Sequence, residues 1–247
     1  MPIVSFRIGR RRFAPSWPMT LLALALCVVF IRLGSWQWDR GVRRQAEWDA
    51  FARGADAPLM LGARQLGSLP RFLRITLAGS WDEDHQFLLD NRSHAGLPGY
   101  EVLTPLNLAD GRLLLVDRGW VAFTGSRARL PQIAIHHATP VTLTGRLDNL
   151  PAGGLALGHA APGGDGGWPK VTSFPTFAEL NGALGRTAEP WMLLLDPLSP
   201  DGYVRDWQPP GLSPLRHWSY AIQWWGFAVT LAVIWGIMSA RRQEPSV

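Results

Sequence analysis

The chain has 247 residues, 47% hydrophobic and 17% charged, against about 25% charged in an ordinary globular domain; this excludes a disordered chain, which is charge-rich and poor in aromatics. Thirteen tryptophans against three tyrosines point to a membrane interface, and a single cysteine excludes an internal disulfide, a cysteine-based zinc site and c-type haem attachment. The formal charge of +5 is concentrated at the ends: residues 1–38 carry +5, residues 39–216 carry −1 and residues 217–247 carry +1. A nucleic-acid footprint would place a basic stripe on the folded domain, so nucleic acid is excluded as a partner and membrane lipid is expected instead.

Taken in chain order, residues 1–16 form a basic, cytoplasmic N-terminus with Arg7, Arg10, Arg11 and Arg12. Residues 18–31 are uncharged. They reach the ~20 residues of a span by extension to Trp36 if Arg32 snorkels to the interface, giving a first transmembrane helix over 17–36. A secretory signal peptide competes with this reading, but Leu24-Ala25-Leu26-Cys27 supplies no small-x-small cleavage site, so an uncleaved anchor is expected. Residues 37–52 continue the helix, with Trp38, Trp48 and Phe51 suggesting one apolar face.

Residues 37–216 are expected to form a β-rich α+β domain outside the cytoplasm. Alternation marks strands at 74–77 and 141–144. Strands at 100–106 and 112–123 flank a hairpin signal, Asp110-Gly111, and 191–195 is a continuous apolar run. A helix is expected at 177–184, with Thr176 and Glu179 at capping-box spacing and Gly185 to end it. Residues 151–167 hold seven glycines and read as a loop. Hydropathy shows no internal repeat.

The second apolar run, 218–240, has no charged residue and is followed by Arg241-Arg242. Trp218, Tyr220, Trp224 and Trp225 crowd its first half like an aromatic belt. The expected segments are a transmembrane helix over 217–240 and a cytoplasmic tail over 241–247. Arginines outside both spans favour cytoplasmic termini. Arg40, Arg43, Arg44 and Arg216 weaken that bias, but the long middle segment crosses largely regardless of charge.

The middle segment has no G-x-S-x-G, H-E-x-x-H or P-loop motif and no convergent acid, base and nucleophile set, so a non-catalytic protein is expected. Asp82, Glu83, Asp84 and His85 match no calcium loop and read as a solvated turn. His136 and His137, adjacent on a strand, would point to opposite faces and could not share a metal. His94 and His159 read as exposed. Arg92 and Arg118 are candidates for ion pairs with Asp90, Glu101 or Asp117, Gly99 and Gly119 for tight turns, and Pro105 for the end of pairing on an edge strand.

His217 stands immediately before the second apolar run. An imidazole here could ligate haem iron, with Arg216, Arg32 and Arg40 at the same depth to pair with carboxylates; alternatively it is an interfacial histidine in contact with headgroups and water. Trp36, Gln37 and Arg40 fall at its depth, and Tyr220 and Trp224 lie three and seven residues on, on its side of a helix. Neither span offers a second ligand, so any iron would be five-coordinate or would borrow a sixth ligand.

Four strings carry a family likeness in order: Leu33-Gly34-Ser35-Trp36-Gln37-Trp38-Asp39-Arg40; Gly96-Leu97-Pro98-Gly99-Tyr100-Glu101-Val102-Leu103-Thr104-Pro105-Leu106, preceded by Asn91-Arg92; Leu114-Leu115-Val116-Asp117-Arg118-Gly119-Trp120-Val121; and His217-Trp218-Ser219-Tyr220-Ala221-Ile222-Gln223-Trp224-Trp225. The chain resembles the surfeit locus protein 1 family of cytochrome c oxidase assembly factors over nearly its whole length. The Gly-rich loop departs from that pattern. The resemblance implies a multi-pass protein of the bacterial inner membrane that assists haem a insertion into the oxidase catalytic subunit. That subunit, and haem a synthase, would be its partners. It implies haem a as a transiently held cofactor, with iron on His217 and with Tyr220, Trp224, Arg216 and Arg40 around it. Two readings stay open beside it: a cofactor-free scaffold for an oxidase intermediate, and a membrane enzyme acting on haem or lipid.

Overall fold

The computed structural model describes residues 6–8, 11–54, 57–137, 140–151, 158–163, 167–209 and 211–242. Among these, the strands are β1 (Phe6–Ile8), β2 (Arg11–Phe13), β3 (Leu59–Met60), β4 (Arg74–Trp81), β5 (Phe87–His94), β6 (Leu97–Leu108), β7 (Leu113–Ala122), β8 (Val141–Asp148), β9 (Lys170–Thr172), β10 (Met192–Leu195) and β11 (Ala240–Arg242). The helices are α1 (Trp17–Arg53), α2 (Phe177–Leu184) and α3 (Pro214–Ser239). The chain divides into two compact units, Met1–Asp49 with Pro210–Val247, and Ala50–Pro209.

The first unit pairs α1 with α3. Positions 20, 23, 27, 30, 34, 37 and 41 of α1 advance by alternating steps of three and four, as do 214, 217, 221, 224, 228, 231 and 235 of α3. All are partly or fully buried. A spacing of 3.5 residues per turn imposes a left-handed supercoil. Hydropathy hides this repeat because the seam is sorted by size rather than polarity. Gly34 and Gly41 are buried, and a Cβ on either would lie 2.4 Å from the indole nitrogen of Trp225 or Trp218 respectively. Cys27 Sγ meets the Ala228 carbonyl at 3.6 Å, and Trp235 Nε1 donates to Thr20 Oγ1 at 3.2 Å; these pairings make the helices antiparallel. Beyond the seam, β2 lies between β1 and β11 in a small antiparallel sheet.

The second unit is built on a closed ring of strands. β4 pairs with β8, β8 with β10, β10 with β7, β7 with β6, and β6 returns to β4. β10 is antiparallel to β8 and parallel to β7. β6 is long enough to serve two neighbours on one side: Leu97–Leu103 run against β5, and Leu106–Leu108 against β4. Pro105 therefore sits inside a central strand, not on an edge as the sequence suggested. It occupies the handover from β5 to β4, where its missing N–H falls at a break in pairing on that side. β9 extends the sheet beyond β5, and β3 extends it beyond β4.

A small ring must bend sharply, and glycine permits the close backbone approach this needs. A Cβ on Gly145 would stand 2.6 Å from the Leu194 carbonyl oxygen, and one on Gly79 2.7 Å from that of Asn107. Inside the ring lie Ile75, Leu77, Leu106, Leu114, Val116, Leu143, Leu147, Leu193 and Leu195. Outside it, Phe87, Leu103, Leu115 and Met192 pack on Leu180 of α2.

The expected strands and the single expected helix of this unit are all present. Gly111 takes φ +86° and donates to the Leu108 carbonyl at 3.0 Å, as a tight hairpin requires. Thr176 and Glu179 form the capping box, and Gly185 closes α2 in the left-handed conformation. β5 has no alternating signature; a register shift between Leu89 and Arg92 interrupts it, with Asn91 at φ +60°.

Candidate functional site

α3 starts at Ser213, followed by Pro214, whose fixed φ and absent N–H suit a first helical position. One turn on, His217 enters the seam and is 9% exposed. Its Nδ1 lies 2.9 Å from Gln37 Oε1 on α1. The amide oxygen can only accept, so Nδ1 carries the ring proton and Nε2 keeps its lone pair. The exposed Arg40 and half-buried Arg44 lie within electrostatic reach of this ring.

Of the other expected site residues, Trp224 also faces the seam. It stacks on Phe30 at 5.8 Å and meets Phe227 edge-on at 5.7 Å. Tyr220 is 45% exposed and stands outside the seam. Arg216 and Arg32 are exposed. The outward faces of both helices are broad and apolar: Leu21, Leu22, Leu24, Val28, Val29 and Ile31 on α1, and Ile222, Val229, Val233 and Ile237 on α3, are exposed.

The β-domain gathers its polar groups elsewhere. Asp82 and His85 form the expected turn between β4 and β5, with His85 Nδ1 at 2.7 Å from Asp82 Oδ1. His136 and His137 are not on a strand; they lie in an irregular segment, where the His136 N–H and His137 Nδ1 both address Asp201 Oδ1 at 2.9 Å. His94 is half-buried against Trp120, and His159 pairs with Glu179 at 3.0 Å. Among the described residues no group of three or more His, Cys, Asp or Glu could hold a metal ion.

Arg92 pairs with Glu101 at 2.9 Å, as expected, whereas among the described residues Arg118 pairs with no carboxylate side chain. The residue is 1% exposed, and its guanidinium donates to the carbonyls of Asp201, Ile133 and Ala134 and to Gln86 Oε1, at 2.7–3.0 Å. Asp117 is equally buried; its Oδ1 accepts from the Gly119 N–H at 2.9 Å, while Oδ2 has no hydrogen-bond partner among the described residues. Burial, reinforced by Glu101, pushes the Asp117 carboxyl well above the usual range. Burial also raises Glu101, against the pull of Arg92. Neither expected glycine turn is present: Gly119 takes φ +107° inside β7, where the register with β6 shifts, and Gly99 lies in β6, where a Cβ would be 2.2 Å from the Val121 carbonyl oxygen.

A profile described as the SURF1 family matches residues 24–229, which takes in most of both seam helices and the strands β3–β10. A protein of Mycobacterium tuberculosis described as an uncharacterized SURF1-like protein is 30% identical over 251 aligned residues, covering 93% of this chain and 88% of its own length; its counterpart in Mycobacterium bovis gives the same figures. A SURF1-like protein of Dictyostelium discoideum is 31% identical over 112 residues, 39% of this chain. The extent of the profile match, and relatives aligned across almost the full chain, show that this protein belongs to the SURF1 family.

Proposed function

We propose that the chain is a membrane-anchored, non-catalytic assembly factor for cytochrome c oxidase that holds haem a transiently through His217. Family membership supports the oxidase reading. The exposed apolar faces of α1 and α3 support membrane insertion, because a soluble helix pair leaves no such contiguous surface in water. At ~1.5 Å per residue α1 is about 55 Å long, so its N-terminal part crosses the bilayer and the rest stands clear of it. Both termini are cytoplasmic in this reading, and the β-domain is periplasmic, at the inner membrane. The partners are the oxidase catalytic subunit and haem a synthase.

The observation that carries the haem reading is the His217–Gln37 hydrogen bond. Metal-bound histidines commonly donate their second ring N–H to a neighbouring acceptor, which fixes the tautomer and aims the free nitrogen. Gln37 does this for His217, so the residues present fit an axial ligand. His217 would hold haem a through its ring nitrogen, and the group would supply an iron that accepts that lone pair. Arg40 of α1 and Arg216 of α3, both exposed, would pair with its propionates, and Trp224 would keep water from the seam. The burial of the ring supports a second reading, a scaffold without cofactor in which the same bond only fixes the helix pair.

The full chain, purified from cells that make haem a, separates the two. We expect wild type to carry haem a, His217→Ala to lose it and Gln37→Leu to retain less. Equal haem content and spectrum in wild type and His217→Ala would reject ligation by His217. Reporter fusions after Val247 and within residues 151–167, most of which lie outside the described residues, test the topology; a cytoplasmic reporter active at the internal position would reject it.

A further inference from the structure

On the outer face of the β-domain, Arg74 of β4 and Arg146 of β8 are direct cross-strand partners. Like charges so placed repel and destabilise a strand pair. One counter-charge is present: Arg74 donates Nε and Nη2 to Asp196 Oδ2 at 3.0 and 2.6 Å. Asp148, two residues beyond Arg146, is taken by Arg71. Arg146 makes no ion pair among the described residues, and its buried Nε has no acceptor. Its guanidinium lies face-on to the Phe51 ring, 3.8 Å from the centroid. Stacking of this kind holds the group still and leaves its in-plane N–H edge as the place where a partner can add.

That guanidinium lines a cleft of about 360 Å³. Trp207 forms another wall, held by its indole N–H on the Leu195 carbonyl at 2.8 Å. The third arginine of the cleft, Arg205, is spent on the carbonyls of Asp196, Pro197 and Ser199 at 2.6–2.9 Å. Asp206, the remaining acid, is exposed and bonded to Gln208. The lining therefore holds three cations and two anions, one negative charge short of balance; Asp196 and Asp148 act on Arg146 only through space, and Phe51 and Trp207 are both part of the lining.

We propose that this cleft binds a small monocarboxylate carried on an aromatic or apolar body, its carboxylate on the Arg146 edge and its ring between Phe51 and Trp207. A carboxylate matches the guanidinium fork bidentately. The excess of one charge, and Asp206 at the rim, disfavour a dianion. The volume suits a single-ring acid, at the small end of ligand pockets. This site is independent of the haem reading.

The test uses the full chain in detergent and ligand-observed fluorine NMR with 4-fluorobenzoate as the probe and 4-fluorobenzamide as its neutral counterpart. We expect saturable binding of the acid, at least tenfold weaker binding of the amide, and at least tenfold weaker binding of the acid to Arg146→Gln. Arg146→Lys, which keeps the charge but not the fork, is expected to fall between. Unfluorinated benzoate should displace the probe, and inorganic phosphate at equal concentration should not. Equal binding of acid and amide by wild type, a comparison that needs no variant, would overturn the proposal. So would unchanged binding to Arg146→Gln, or displacement by phosphate as effective as by benzoate.

Discussion

Truncating Arg118 to alanine should remove a large part of the stability of the β-domain. The side chain is fully enclosed between the loop at Ile133–Ala134, the turn at Asp201 and the Gln86 amide, with Trp81 and Tyr203 rings 5.7 and 5.0 Å from its guanidinium. Gln86 Oε1 keeps a second donor in Thr104 at 2.8 Å, but three backbone carbonyls lose the Arg118 donor. A buried polar group left without its partner costs about 1–3 kcal/mol, which gives roughly 3–9 kcal/mol before the cavity is counted. A domain of this kind has about 5–15 kcal/mol in all, so Arg118→Ala should accumulate poorly or unfold early. Arg118→Lys keeps the charge but offers one nitrogen to acceptors on three segments, and should fall between. Urea unfolding of the full chain in detergent, followed by far-ultraviolet circular dichroism, measures both. An Arg118→Ala midpoint equivalent to less than about 1 kcal/mol of loss would refute the reasoning, because it would fall below the penalty for even one unmade bond.

Three further outcomes are expected. Asp117 has a folded pKa raised by burial and Glu101, so its contribution to stability is fully present below the ordinary carboxylate range and is lost as pH rises through the folded value; each unit of that shift is worth about 1.4 kcal/mol. Asp117→Asn should therefore be more stable than wild type at neutral pH and flatter between pH 4 and 8 in urea titrations, and a steeper profile would contradict this. Gly41→Ala should strain the helix seam by about 1–3 kcal/mol, since the new Cβ would lie 2.4 Å from Trp218 Nε1; thermal melts of the full chain should show Trp218→Leu giving back part of the loss in the double variant, and simple additivity would contradict this. Thr176→Ala removes one half of the capping box and should cost about 1 kcal/mol, read as a lower urea midpoint with unchanged slope.

The parts of the fold that were legible in the sequence are those with local causes. Asp110-Gly111 fixes its turn through a positive φ at Gly111, and Thr176 with Glu179 caps α2 within four residues; both signals act over one turn of chain. The strands at β4 and β8 alternate because one face fills the ring, as Ile75, Leu77, Leu143 and Leu147 do. Ring closure was not legible, because the contact of Leu106–Leu108 with β4 depends on a handover at Pro105 that no local pattern encodes. The helix seam was hidden for a related reason: glycine against tryptophan is complementary only across two segments far apart in sequence. At the candidate site, depth in the apolar runs placed Gln37 at the level of His217 but could not pair them. Their 2.9 Å contact is set by the supercoil register. The same register turns Tyr220 outward, although the spacing from His217 had grouped them. Arg118 was read as half of an ion pair because acids surround it in sequence; in three dimensions its acceptors are carbonyls of segments on either side of β8.

β10 also sets an order of events during synthesis. All four of its residues are buried, and it fills the gap between β8 and β7, yet it leaves the ribosome on the order of forty residues after β8 ends. At about 5–20 residues per second that is a wait of about 2–8 s. During this interval β7 and β8 present two bare hydrogen-bonding edges, with Leu114, Val116, Leu143 and Leu147 not yet covered. Such edges are templates for pairing with another chain. The nascent domain therefore needs shielding from its neighbours until Met192–Leu195 arrive, and truncations upstream of residue 192 should be recovered as aggregates rather than as soluble open sheets.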